Sequence, residues 1–337
     1  MLEYIIKRLI LALITLLAIL FTSYALLRLA PGDPARSDIM SDGGSGGALN
    51  QEKSQLGGNQ SIREQLDLDK PLHTGFARWL KKVVCHGDFG VSAAVDPGRP
   101  VTTLIKERLH VTVTLNIFAI LLTYLLAVPT GVFSAANAGS TGDRTAEVVL
   151  FVLYSLPVMW VGLLLQSLFC EGGQYPLFPL KGLTPANAAE LSIWQWQLEL
   201  LRHYFLPVVC LSYAGFAGLS RYTRNSMLEV LRSDFIRTAK AKGVPPNAVL
   251  WQHGFGNALI TMITLFSGIL PSLVCGSVMV EYIFNIPGMG SLSLLSLSSR
   301  DYPLQMALFA FTGGLTLLSL LICDLLYMLA DPRIKLK

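Results

Sequence analysis

The side chains best suited to chemistry are spaced for none of it. Five cysteines and five histidines are spread over 337 residues, without a CxxC or a mixed Cys/His spacing that would hold a metal. Cys210, Cys275 and Cys323 lie inside apolar runs, where a thiol is a small hydrophobe. Cys85 and Cys170 lie between such runs, and a disulfide between them stays open. His73, His86, His110 and His203 stand at edges, and His253 lies just beyond a short basic segment. No GxxxxGK(S/T) occurs, so ATP is not bound by a Walker loop; the glycines of Gly43 to Gly47 lack the strand, helix and lysine of a phosphate cradle. No HExxH occurs, and serine, histidine and acid do not converge as an intramembrane hydrolase requires. The expectation is a protein with no catalytic residue, no metal and no cofactor of its own.

One stretch is built for a mechanical task. Ser233 to Pro246, "SDFIRTAKAKGVPP", spells a small helix with its start and stop. Ser233 can accept from a free backbone N–H of the first turn, Gly243 can take the left-handed conformation that ends the helix, and Pro245 forbids its resumption. At 100° per residue Phe235, Ile236, Ala239 and Gly243 share one arc, with Arg237 and Lys240 beyond its edge. So short a helix does not hold itself in water, so something must dock on it. An interfacial helix on anionic headgroups is one reading. Alanine, glycine and threonine bury little area in lipid but admit close approach of protein, so a protein socket is the better one.

The elements around this stretch are membrane spans. The chain is 52% hydrophobic and 14% charged, with mean hydropathy +0.52, against about 25% charged for soluble domains. Its net charge of +4 is mild and clustered by loop, which argues against a nucleic-acid partner. Six apolar runs are near the ~20 residues that cross a bilayer: Ile10–Leu29, Val111–Ala135, Val148–Phe169, Tyr204–Ser220, Asn257–Val280 and Leu304–Leu329. The first outruns a signal-peptide core and has no A-x-A site, so it reads as a retained anchor.

Basic residues orient the spans. Lys7 and Arg8, the loop from Arg221 to Lys242, the tail with Arg333, Lys335 and Lys337, and Arg144 all fall on one side, so both termini are expected in the cytoplasm. The large loop between spans one and two is then extracytoplasmic. Within it Ser41–Gln60 is a glycine- and serine-rich linker. From Ser61 a helical pattern returns, with Pro71 as a break, Trp79, Leu80, Val83 and Val84 as an apolar face, and a turn on Gly87 and Gly90.

Inside the spans only Asp324, near the end of the sixth, breaks the absence of charge, so no proton relay or charged midplane site is visible. Pro129, Pro157, Pro207 and Pro271 and glycines such as Gly131, Gly162, Gly215 and Gly276 suit kinked, closely packed helices. Thr112, Thr114, Asn116, Thr123, Tyr124, Tyr154, Ser155 and Gln166 suit either a passage lining or interhelical hydrogen bonds. With no internal repeat, the bundle reads as half of a pathway that a similar subunit completes.

"FIRTAKAKGVP" at Phe235 to Pro245, followed by His253 and Asn257, Ala258 and Leu259, resembles the EAA-type loop of permease subunits in binding-protein-dependent ABC importers, specifically the oligopeptide/dipeptide/nickel permease family. "LLRLAPGDP" (Leu26 to Pro34), "HGDFGVS" (His86 to Ser92), "IFNIPGMGSL" (Ile283 to Leu292), "RDYPL" (Arg300 to Leu304) and "ADPRIK" extend the likeness over nearly the whole chain in family order.

The resemblance implies an all-α polytopic membrane protein of the cytoplasmic (inner) membrane. Its divisions are 1–30, tail and span one; 31–110, the extracytoplasmic loop with flexible 41–60; and 111–337, the permease core with cytoplasmic coupling loop 221–256. It implies import of di- or oligopeptides, driven by two ATPase subunits or domains that bind the ATP. A second homologous permease and an extracytoplasmic solute-binding protein complete the assembly. Ser233, Phe235, Ile236, Arg237, Thr238, Ala239, Lys240, Ala241, Lys242 and Gly243 would contact the ATPase groove, with Thr238, Ala239, Ala241 and Gly243 packing closely. Gln252 and Thr261 replace a usual basic residue and proline, and Pro246 and Trp251 are less usual. The alternatives are nickel, glutathione or other small-solute import by the same kind of machine, or a stand-alone secondary transporter.

Overall fold

The structure, a computed structural model, describes residues 2–29, 70–180, 182–183, 191–259, 273 and 276–330. The 41–60 linker, the 61–69 start of the helical pattern, most of the expected fifth span and the basic C-terminal tail lie outside the described residues. Among the described residues the chain is helical, with only isolated bridges at Val91–Pro100 and Cys170–Phe178.

Among the described residues four helices are long and apolar enough to cross a membrane: α1 (Leu2–Leu29), α3 (Val101–Ala136), α6 (Ile193–Leu231) and α10 (Tyr302–Ala330). Two of them correct the expected boundaries. The second run begins at Val101, and the fourth extends to 39 residues, about 58 Å at ~1.5 Å per residue, far beyond ~30 Å of hydrocarbon. Helix α6 therefore projects from the bilayer with its own hydrogen bonds intact.

The expected third span is not one helix. Thr141–Ser155 (α4) and Val158–Phe169 (α5) meet at a bend of 95° and count as a fifth span only if taken together. Pro157 has no N–H to give and drives Leu156 into extended backbone, φ −82° and ψ 129°. Pro129 and Pro207, by contrast, lie inside continuous helices.

By contacts the described chain divides into two compact units. One comprises Met1–His110 with Leu292–Leu318, the other Val111–Ser291 with Ser319–Lys337. In the first unit α2 (Leu72–His86) packs on α1 through Phe21, Tyr24, Phe76 and Trp79, with Phe21 and Phe76 edge to face at 5.3 Å. Pro71 starts α2 and Gly87, at φ 62°, ends it as expected. Val84 is 74% exposed, so the apolar face is Phe76, Trp79, Leu80 and Val83. Past Gly90, also left-handed, the loop closes on the start of α10. The buried Asp301 carboxylate accepts from the Ser92 hydroxyl and from the amides of Ala93, Ala94 and Val95, each at 3.1 Å. Its other oxygen accepts from Leu304 N at 3.2 Å. Two of the family-like stretches, "HGDFGVS" and "RDYPL", thus meet at one carboxylate.

In the second unit α3, α5 and α6 pack around Leu115, Ala119, Leu206 and Cys210, joined by Val280 and Ile283 of α8 (Val278–Ile283), and α4 lies against α6. Cys85, Cys170 and Cys210 are free thiols, the first exposed and the others buried.

Candidate functional site

The expected short helix is present as α7, Asp234–Ala241. Its stop follows the expectation closely. Gly243 takes φ +78°, its N–H donates to Lys240 O at 3.0 Å, and Val244 N–H donates to Ala239 O at 3.2 Å, the paired bonds of a Schellman motif. Pro245 then turns the chain into a single turn, Pro246–Ala248, with Pro246 in the first turn where its missing N–H costs nothing.

The start differs. Ser233 has the backbone of a capping residue but makes no cap bond; its hydroxyl donates to Val230 O at 2.6 Å, a carbonyl in the last turn of α6 that also accepts the Ser233 N–H at 3.0 Å. Ser233 therefore seals the helix before it. The four-residue arc is also divided. Ile236 and Ala239 are buried against Val249, with Val230, Leu231 and Val244 around them. Ala239 is thus taken up by the chain itself and leaves the outward set. Phe235 is 47% exposed, and Arg237, Thr238, Lys240, Ala241, Lys242 and Gly243 are exposed with it. Among the described residues Arg237 meets Asp234 alone, at 3.3 Å between two highly exposed side chains, so the cation is available to a partner. The helix has an inner face that anchors it and an outer face of one aromatic ring, three cations and small residues.

The anchor continues into a π-helical segment, Val249–Phe255, which lies on α6. Gly254 permits the approach: a Cβ there would meet Met227 at 3.2 Å and Leu231 at 3.3 Å. Met227 is itself buried with Val132 and Ala135 of α3 and with Ala258. Trp251 and Phe255 meet edge to face at 5.5 Å, and His253 contributes its carbonyl, which accepts from the Asn257 amide at 2.7 Å.

One turn back from Met227, Arg224 fixes α6 to the first turns of α4. Its Nε and Nη2 donate to the two oxygens of Asp143, both at 2.8 Å, and Nη1 lies 3.0 Å from Glu147. Asp143 is 1% exposed and accepts also from Ser134 Oγ and from Gly139 N at 2.8 Å, so each oxygen has two donors. A buried carboxylate so completely partnered is a rivet between α3, α4 and α6. Gly131 lets α3 and α6 cross nearby: a Cβ would fall 2.5 Å from Thr223 Cβ and 2.7 Å from Ser220 O. The charges of this region marked topology in the sequence; their partnership, across 81 residues, had no local signal.

A second buried acid, Glu281, was also missed. It directly follows the last apolar residue of the expected fifth span and so reads as an interface charge. It is 3% exposed and gathers Thr112 Oγ1 at 3.1 Å and Ser291 N at 2.8 Å, while Thr112 Oγ1 in turn accepts from Met289 N at 2.7 Å. Gly276 and Gly288 leave the carboxylate its room, for a Cβ on Gly288 would come within 2.5 Å of it. The "IFNIPGMG" stretch, which joins α8 to α9 (Met289–Ser298), is thereby tied to the Glu281 carboxylate and to Thr112. The polar span residues behave likewise: Asn116 donates to Leu273 O, Thr123 to Ser212 O and Gln166 to Ile283 O. Each of these bonds joins two segments of the chain.

The fold is that of a helical membrane protein that carries a short helix braced on one face by its own chain and exposed on the other. The chain belongs to the family of inner membrane components of binding-protein-dependent transport systems, whose model matches residues 127–336, while that family's N-terminal membrane component matches 1–116. It is a multi-pass protein of the cytoplasmic membrane. It is 38% identical to the oligopeptide transport system permease protein AppB of Bacillus subtilis, over 99% of this chain and 100% of that one. It is 31% identical to the dipeptide transport system permease protein DppB of Escherichia coli over the whole of both chains. To the peptidoglycan transport system permease protein YejB of Agrobacterium fabrum it is 30% identical, over 98% of this chain and 97% of that one.

Proposed function

We propose that the chain is a permease subunit of an ABC importer for di- or oligopeptides, with six spans and both termini in the cytoplasm. A second homologous permease completes the pathway, two ATPase subunits or domains bind and hydrolyse ATP, and an extracytoplasmic solute-binding protein delivers the peptide. The observation that carries this reading is the divided face of α7. Ile236 and Ala239 hold it to the chain's own framework, while Phe235, Arg237, Thr238, Lys240, Ala241 and Lys242 are left outward. Support for peptide as cargo comes from the relatives, whose names are those of oligopeptide and dipeptide permeases.

In this mechanism ATP binding draws the ATPases together and displaces α7 sideways. The displacement passes through Val249 and Leu231 into α6, and through Arg224 to Asp143 into α3 and α4. Phe235 fills an apolar socket on the ATPase, and the cations meet its acidic rim. The chain itself uses no cofactor. The test is ATP-driven uptake of labelled peptide in proteoliposomes holding both permeases, the ATPases and the binding protein. Thr238→Trp places bulk on the outer face without straining Gly243 and is expected to abolish uptake while leaving the chain folded and inserted. Uptake by that variant at the wild-type rate overturns the docking assignment.

A further inference from the structure

Where α2 crosses α1 and the start of α10, the first compact unit encloses a cavity of about 190 Å³. Its walls include Tyr24, Trp79, Phe89 and Met306, and Lys82 and Asp88 stand at the same cavity. Three features set it apart from a packing gap. Trp79 Nε1, a hydrogen-bond donor, is buried with no partner among the described residues, a costly state unless an acceptor enters. Lys82 and Asp88 line one cavity without pairing to each other, and Lys82 makes no ion pair among the described residues. Asp88 is oriented by its own turn, Oδ1 accepting from Gly90 N at 2.8 Å, which leaves Oδ2 open.

The setting names the ligand. Helix α1 is a peripheral span, with Leu9, Ile10, Leu13 and Ile14 all about half exposed or more, so its surface is a lipid surface. Tyr24 lies near the end of that helix, where tyrosine and tryptophan collect at the headgroup level. Helix α2 above it carries Arg78, Lys81 and Lys82 along with its apolar face, the composition of an interfacial helix. A cation, an indole N–H and a carboxylate around one cavity at that depth match a phosphate joined to a primary ammonium. The geometry points to a phosphatidylethanolamine headgroup site. Lys82 and Trp79 Nε1–H would meet the phosphate oxygens, and Asp88 would accept from the ammonium. A choline headgroup offers Asp88 no N–H, and an anionic glycerol headgroup offers it no cation. One face of Trp79 is stacked on Phe76, at 6.1 Å between centroids, which holds the indole in place for the contact.

The test uses the full chain with its partner subunits, incorporated in nanodiscs of equal parts phosphatidylethanolamine, phosphatidylcholine and phosphatidylglycerol. After detergent extraction, the lipids still bound are quantified by mass spectrometry. The expected result is retention of phosphatidylethanolamine over each of the other two by roughly tenfold, the worth of one charge-assisted hydrogen bond. Asp88→Asn is expected to erase that preference, and Lys82→Gln to lower retention of all phospholipids at the site. Trp79→Phe keeps an aromatic ring against Phe76, removes the N–H with the five-membered ring that bears it, and is expected to reduce retention severalfold while the chain stays folded and inserted. Equal retention of the three lipids, or wild-type retention in Trp79→Phe and Asp88→Asn together, overturns the assignment. Displacement of the lipid by a free dipeptide also overturns it, because the site would then belong to a soluble zwitterion.

Discussion

Replacing Arg224 by glutamine leaves the Asp143 carboxylate, 1% exposed, with only Ser134 and the Gly139 amide as donors. Removing one partner of a buried ion pair costs about 3–5 kcal/mol, chiefly because the remaining charge is stranded. The two surviving donors and the 16% exposure of Arg224 put this case near the lower end, at about 3 kcal/mol. Glu147 is 49% exposed and changes the figure little. At ~2 °C per kcal/mol for a chain of this size, the variant should melt roughly 6 °C lower. Asp143→Asn removes the charge and keeps the shape, so the double variant strands nothing. The two single losses should therefore exceed the double loss by about 1–3 kcal/mol. The assay is thermal unfolding in detergent of the wild type, both single variants and the double variant, with proteoliposome uptake measured alongside. In uptake, either single variant should hydrolyse ATP without moving peptide, since α7 would still dock but α3 and α4 would no longer follow α6. If the losses add to within about 0.5 kcal/mol, the two side chains do not act as one rivet, and the path drawn through them is wrong.

Three further outcomes follow from the same geometry. Gly131→Ala should cost about 1–3 kcal/mol by thermal unfolding, as its Cβ meets Thr223 and the Ser220 carbonyl; adding Thr223→Ala should restore only part, since the carbonyl remains. Asp301→Ala strands three amides and should open the 92–95 segment to limited proteolysis, whereas Ser92→Ala, which removes one donor of several, should not. Cys85 is exposed and Cys170 and Cys210 are buried, so a membrane-impermeant maleimide added to intact cells should modify Cys85 alone of these three; modification only after permeabilisation would refute the proposed orientation.

The parts of this molecule that could be read in advance are those written locally. Gly243 and Pro245 announce a helix stop in any context, and the structure forms it with the expected left-handed residue. Pro71, Gly87 and Gly90 likewise delimit α2 and its following turn. Where a neighbour decides, the pattern alone falls short. Phe235 and Ile236 are adjacent and equally apolar, and only the position of Val249 makes one an anchor and the other an outward ring. Among the described residues Pro129, Pro157 and Pro207 look alike in apolar runs, yet of these only Pro157 breaks its helix. Asp143 with Arg224, Thr112 with Glu281, and Ser92 with Asp301 join residues 81, 169 and 209 positions apart, so composition read along the chain records the charges but not their partners. Ser233 reads from sequence as the cap of the helix it precedes, whereas its hydroxyl serves the one it follows.

The Asp301 contact also bears on biosynthesis. The amides of Ala93, Ala94 and Val95 emerge early, and the carboxylate that satisfies them is encoded more than two hundred codons later. At ~5–20 residues per second, the 209 positions between Ser92 and Asp301 correspond to roughly 10–40 s of translation. During that interval water must solvate the waiting amides. The last span thus acts as a quality check, because a nascent chain truncated before it leaves an unfinished loop for surveillance proteases to find.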